Sequence, residues 1–147
     1  MPFHLKENII MGDLAFEANA TTLSGLFKAC AQAVAESSAS PKTIAARIKK
    51  KILLKNTDIE KLLFDFLDEL IYVKDTKGMV YRKVDVTVTQ NKKTKIWQAT
   101  STVHGDTIDR SGKKKQDLLH DLKAVTLHRF SVKKEKNGWK AFVVIDL

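Results

Sequence analysis

Apolar and polar positions recur along this chain with two different periods. In residues 22–34 apolar side chains return every three or four positions, which predicts an amphipathic helix with Thr22 as its N-cap. Residues 59–70 show the same spacing, and Thr57 together with Glu60 matches a capping box at the start of this segment. We therefore expect two main helices.

Strict alternation of apolar and polar residues predicts the strands. It is present in residues 43–54, 80–88, 96–103, 122–132 and 139–145, and more briefly in residues 14–18. Lys50 interrupts the alternation of the first segment, which indicates a β-bulge. The dipeptide Asn137-Gly138 favours a tight hairpin turn before the last strand.

Two helices and several antiparallel hairpins predict an α+β fold. We expect a single two-layer domain over residues 1–147, in which two main helices cover a mostly antiparallel sheet. The six glycines never form a GxGxxG or GxxxxGK[ST] motif. A doubly wound nucleotide-binding fold is therefore not expected.

The composition adds a strong positive charge. The formal net charge is +9 over 147 residues, so a polyanion such as RNA is a reasonable partner. Residues 42–55 contain six basic residues and no acidic one, and residues 105–116 suggest a mobile basic loop. A charge run is more often only a solvated surface. The candidate RNA contacts are Arg47, Lys49, Lys51, Lys113, Lys114 and Lys115.

The sequence also indicates where the protein acts. No apolar run approaches the ~20 residues of a membrane span, and the first residues lack a signal-peptide pattern. A cytoplasmic protein is expected. The single cysteine, Cys30, lies on the apolar stripe of the first helix, so it is predicted to be a core residue and not a nucleophile.

Four motifs resemble those of a known family. They are TLSGLF at residues 22–27, KLLFDFLDELIY at residues 61–72, DLKAVTLH at residues 121–128 and VVIDL at residues 143–147. In this order they resemble the archease family over almost the whole chain. The third motif, with Lys123 and His128, and the terminal Ile-Asp-apolar tripeptide are the most specific.

The resemblance implies a function and a metal site. Archeases are accessory proteins, not ligases; they promote guanylylation and repeated turnover of RtcB-type RNA ligases in transfer-RNA splicing and RNA repair. They bind a divalent cation, usually assigned as calcium. The matching positions in this chain are Asp13, Asp146 and the main-chain carboxylate of Leu147.

Physical reasoning supports the same constellation. Adjacent carboxylates at a strand end repel each other unless a cation lies between them. Oxygen donors suit calcium, or else magnesium, whereas zinc would require His or Cys donors. The alternative is that Asp146 is only an exposed residue at a chain end.

The sequence departs from the family pattern in two places. Ile10-Met11-Gly12 precede Asp13, where archeases have His-Thr-Ala, and Leu127 replaces a tyrosine. Loss of the His and Thr predicts a weaker metal site or a changed partner. Other candidates for contact with a partner or support of the site are Asp106, Lys123 and His128.

Three functions follow from these observations. The first is activation of an RtcB-type RNA ligase, and the alternative is a basic RNA-binding protein without that role. The third is a metal-dependent hydrolase that uses Asp13, Asp106 and Asp146. It ranks lowest because the sequence shows no general base or nucleophile pair.

Overall fold

The computed structural model describes the backbone of residues 3–8, the side chain of Phe3 and the whole of residues 12–147. Its elements, in chain order, are β1 (Phe3–Asn8), β2 (Asp13–Ala20), α1 (Leu23–Ser38), a 3₁₀ turn (Pro41–Thr43), β3 (Ile48–Asn56), α2 (Ile59–Lys77), β4 (Met79–Gln90), β5 (Trp97–Thr107), β6 (Ala124–Glu135) and β7 (Gly138–Asp146).

The strands form two antiparallel sheets. One has four strands in the order β1-β2-β7-β6, and the other has three in the order β3-β5-β4. This confirms the α+β prediction, with the strands divided between two sheets. The pairing of β2 with β7 joins strands from distant parts of the sequence.

Both helices contact both sheets. α1 packs against β2, β7 and β4, and α2 packs against β6 and all three strands of the smaller sheet. The rings of Phe27 and Phe66 stack between the helices with centroids 5.8 Å apart. Cys30 is fully buried in the same core, as predicted. Neither described helix is long and apolar enough to cross a membrane.

The helix starts follow local capping chemistry. The Thr22 hydroxyl accepts a hydrogen bond from Gly25 N at 3.0 Å, which confirms it as the N-cap of α1. The predicted capping box of α2 is wrong, because its N-cap is Asp58, which accepts from Glu60 N at 2.9 Å. An aspartate one residue later was the better acceptor for the free N–H groups of the first turn.

β3 begins later than the alternation predicted. Pro41 opens a 3₁₀ turn that includes Thr43, so the strand starts only at Ile48. The bulge predicted at Lys50 is also wrong, because the register between β3 and β5 is regular throughout.

Side chains from both helices accept hydrogen bonds from main-chain N–H groups of the edge strands. The hydroxyl of Ser24 in α1 accepts from Val88 N of β4 at 2.8 Å. The carboxylate of Glu60 in α2 accepts from Val132 N of β6 at 2.9 Å. β4 and β6 are edge strands, so these bonds satisfy donors that sheet pairing leaves free.

Candidate functional site

Asp13 and Asp146 lie directly opposite each other at one end of the four-stranded sheet. Asp13 is the first residue of β2, Asp146 is the last of β7, and the antiparallel register pairs them. Directly opposed side chains share one face of a sheet, with Cβ atoms about 4.5–5.5 Å apart. The structure therefore brings two of the predicted metal ligands together; we call them the carboxylate pair.

The hydrophobic core fixes this arrangement. Leu14 and Phe16 of β2 and Val143 and Ile145 of β7 are almost fully buried and alternate with outward-facing residues. A register shift by one position would bury polar side chains in place of these apolar ones. The carboxylate pair is consequently held on the outer face.

Main-chain hydrogen bonds hold the strand end around Asp146. Leu147 N donates to Gly12 O at 3.0 Å, and Lys123 N donates to Asp146 O at 2.8 Å. Gly12 has a φ of +68°, a conformation that favours glycine. Leu147, whose main-chain carboxylate is the third predicted ligand, thus follows Asp146 on a backbone anchored on both sides.

Among the residues that the structure describes, none neutralises the charge of the carboxylate pair. Asp13 is half-buried, Asp146 is exposed, and neither forms an ion pair with any residue that the structure describes. Like charges at directly opposed positions are destabilising. A cation would remove that repulsion, and the oxygen donors fit a hard ion such as calcium or magnesium.

The two side chains would not complete a coordination sphere. Within the described part of the chain, no group of three or more His, Cys, Asp or Glu side chains could hold a metal. Calcium takes six to eight oxygen ligands, so the remainder would come from the main chain, water or a partner.

Asp106 does not join the carboxylate pair. It lies in β5 of the other sheet, only 3% exposed, where its Oδ1 accepts from Thr107 N at 2.9 Å and from Lys114 Nζ at 3.1 Å. Its Oδ2 is 3.7 Å from Arg47 Nη1. The residue proposed to support the carboxylate site is instead a buried carboxylate of β5 that connects the segment before β3 with the loop after β5.

Lys123 and His128 occupy different surroundings. The main chain of Lys123 bonds Asp146, as described above, and its side chain is exposed. His128 is exposed within a bulge, where four residues of β6, 127–130, stand between Thr126 and Ser131, the partners of Val144 and Phe142. Of these two residues, therefore, Lys123 lies next to the carboxylate pair through its main-chain hydrogen bond, and His128 has no described contact with the pair.

Sequence reasoning missed the bulge in β6, as it missed the strand β1. Leu127 within the bulge is 77% exposed, and Arg129 has a φ of +55° with its guanidinium 4.9 Å from the centre of the Phe142 ring. No glycine or proline marks the irregularity in the sequence, so no local signal could have found it.

The predicted basic residues fall into two groups. Arg47 and Lys114 are ion-paired with Asp106, whereas Lys49, Lys51, Lys113 and Lys115 are exposed. The loop that carries Lys113, Lys114 and Lys115 folds around Asp109, whose carboxylate accepts hydrogen bonds from Ser111 N and Lys114 N. The hydrogen bond from the Ser111 hydroxyl, followed by these backbone bonds, lowers the pKa of Asp109.

Comparison with known proteins identifies the family. The sequence pattern of the Archease protein family (MTH1598/TM1083) matches residues 6–147. Protein archease of Methanosarcina barkeri is 31% identical over 137 residues, covering 92% of this chain and 90% of that protein. Protein archease of Archaeoglobus fulgidus is 30% identical over 141 residues, covering 92% and 93%.

Solved structures share the fold. The solution structure of Methanobacterium thermoautotrophicum protein 1598 matches with a TM-score of 0.80 at 25% identity, over 99% of both chains. The crystal structure of a Thermotoga maritima archease, described as a possible chaperone, matches with a TM-score of 0.63 at 16% identity, over 98% of both chains. These matches confirm the resemblance found in the four motifs. The chain belongs to the archease family.

Proposed function

We propose that this chain is a noncatalytic, cytoplasmic accessory protein that activates an RtcB-type RNA ligase. It would promote guanylylation of the ligase and so allow repeated turnover in transfer-RNA splicing or RNA repair. Membership of the archease family supports this function. The observation that carries the proposal is the carboxylate pair, because two directly opposed acidic groups that form no ion pair with any described residue suit a bound cation.

In this proposal Asp13, Asp146 and the main-chain carboxylate of Leu147 hold the divalent cation. The expected ion is calcium, and magnesium is the alternative. The ion would supply a positive charge at the surface that meets the ligase. The hydrogen bonds from Leu147 N and Lys123 N fix the backbone on which these ligands stand. Lys123 is a candidate contact to the partner.

The altered motif before Asp13 belongs to the same site. Ile10 and Met11 lie outside the described residues, and Gly12 is exposed with a positive φ. Because the usual His and Thr are absent, we expect weaker cation binding than in archeases that retain them.

The test is a guanylylation time course with the RtcB-type ligase of the same organism. Asp146→Asn, which keeps the shape of the side chain but removes its charge, should abolish the stimulation. Asp68→Asn, at an exposed position on α2, is the matched control and should stimulate like wild type. Absence of stimulation by the wild-type protein would refute the proposed function, and full stimulation by Asp146→Asn would refute the site.

A further inference from the structure

The outer face of the three-stranded sheet is an open, lysine-rich surface. Its members alternate with buried or half-buried residues and stand opposite one another in register across the sheet. We call it the lysine face; it consists of Lys49, Lys51, Leu53 and Lys55 of β3, Gln98, Thr100, Thr102 and His104 of β5, and Lys83, Asp85, Thr87 and Thr89 of β4.

The register explains why these side chains reach solvent. Ile52, Val103 and Val84 are buried on the inner side, where the sheet meets the helices. Alternation along each strand therefore directs the intervening residues outward. The four lysines of the face are all exposed.

The charge of this face is strongly positive. Four lysines stand with a single carboxylate, Asp85, which lies within 4 Å of Lys28, Lys83 and His104. Lys49, Lys51 and Lys55 form no ion pair with any residue in the described part of the chain. The row from position 49 to position 55 runs about 20 Å along the strand.

The chemistry of the face fits an extended polyanion. Lysines supply point charges for phosphates, and the adjoining row of Thr100, Thr102 and Gln98 can both donate and accept hydrogen bonds. Such groups suit the ribose 2′-hydroxyl. The twelve positions include no Phe, Tyr or Trp on which bases could stack, so contact would be to the backbone.

We propose that the lysine face binds the phosphate backbone of single-stranded RNA without base-sequence preference. The face belongs to a different sheet from the carboxylate pair, so the proposal does not depend on the cation site. It differs from the sequence-based set of contacts in two ways. Arg47 and Lys114 are paired with the buried Asp106, and Lys113 and Lys115 lie in the loop after β5, so these four are left out. Lys55 is added as a free lysine, and Lys83 lies on the face but is paired with Asp85.

The test is the salt dependence of RNA affinity, measured by fluorescence anisotropy with a labelled oligouridine. Lys49, Lys51 and Lys55, the lysines of the face that form no described ion pair, would neutralise three phosphates, which predicts a slope of about −2 for log K against log salt concentration. Lys49→Gln/Lys51→Gln should weaken binding and reduce the slope by about 1.4. A flat salt response of the wild type would overturn the proposal.

The control variant has the same change in net charge at a different place. Lys61→Gln/Lys136→Gln alters exposed residues of α2 and of the β6–β7 turn. It should keep the wild-type slope. An equal loss in both double variants would show binding by overall charge only and would overturn the assignment to the lysine face. Thermal melting checks that both variants are folded.

Two further measurements separate RNA from other partners. A DNA oligonucleotide of matching length should bind more weakly, and equal affinity would overturn the assignment to RNA. Lys49→Gln/Lys51→Gln should stimulate ligase guanylylation normally in the absence of RNA. Loss of that stimulation would identify the face as a ligase contact and refute the RNA proposal, without touching the proposed function.

Discussion

Replacing one member of the carboxylate pair should change stability in opposite directions with and without calcium. Asp13 and Asp146 are directly opposed, and like charges in that arrangement cost about 0.2–1 kcal/mol. Both groups reach solvent, so salt screening keeps the repulsion at the lower end of that range. In the presence of a chelator, Asp146→Asn should therefore be more stable than wild type by roughly 0.3 kcal/mol.

Calcium should reverse the order of stability. A ligand present at a hundredfold excess over its dissociation constant stabilises the native state by about 2.7 kcal/mol. For a domain of this size that corresponds to a rise in melting temperature of about 5–10 °C. Asp146→Asn should show little of this rise, because its amide oxygen is a weaker ligand than a carboxylate.

The assay is thermal unfolding followed by circular dichroism, at constant ionic strength, with chelator and then with a series of calcium concentrations. Asp68→Asn on α2 is the control and should respond to calcium like wild type. If calcium leaves the melting temperature of wild type unchanged, or if the chelator makes Asp146→Asn the less stable protein, the electrostatic argument for this site fails.

Three other predictions concern the fold. Gly138→Ala should destabilise the protein by roughly 1–3 kcal/mol in urea unfolding, because the new Cβ would lie 2.2 Å from the carbonyl oxygen of Ala20; an unchanged midpoint would refute the close approach. The Lys74 hydrogen bond lowers the pKa of Asp121, so that pair stabilises the protein above the unfolded pKa, near 3.8, and the stabilisation disappears as pH falls through the lower folded value. The stability difference between wild type and Asp121→Asn should therefore shrink toward zero in acid, and a constant difference would contradict this. Burial raises the pKa of the Cys30 thiol, so a thiol reagent should label the protein only after unfolding, and rapid native labelling would disprove its burial.

Local patterns predicted the elements well where periodicity was long. The apolar stripe of α2 and the alternation in β7 were sufficient to place both elements. The N-cap of α2 was misplaced because Thr57 and Asp58 compete for the same capping role. The start of β3 was misplaced because the alternation continued into the 3₁₀ turn that Pro41 opens.

The long-range arrangement could not be derived from local sequence. Nothing near Asp13 indicates that β2 pairs with β7, and only the family resemblance suggested that Asp13 and Asp146 meet. Asp106 was a candidate only through the same resemblance, and the structure instead pairs it with Lys114 of the following loop and with Arg47, which is distant in sequence. Pairing of strands that are distant in sequence and ion pairs between segments depend on tertiary packing, which short windows of sequence do not encode.

The pairing of β2 with β7 has a kinetic consequence. These strands lie nearly the length of the chain apart, and contacts of such high sequence separation form slowly because a long loop must close first. Intermediates that lack the final strand would have no paired carboxylates and thus no affinity for the ion there. Calcium would then slow unfolding of the completed sheet without accelerating the early folding steps.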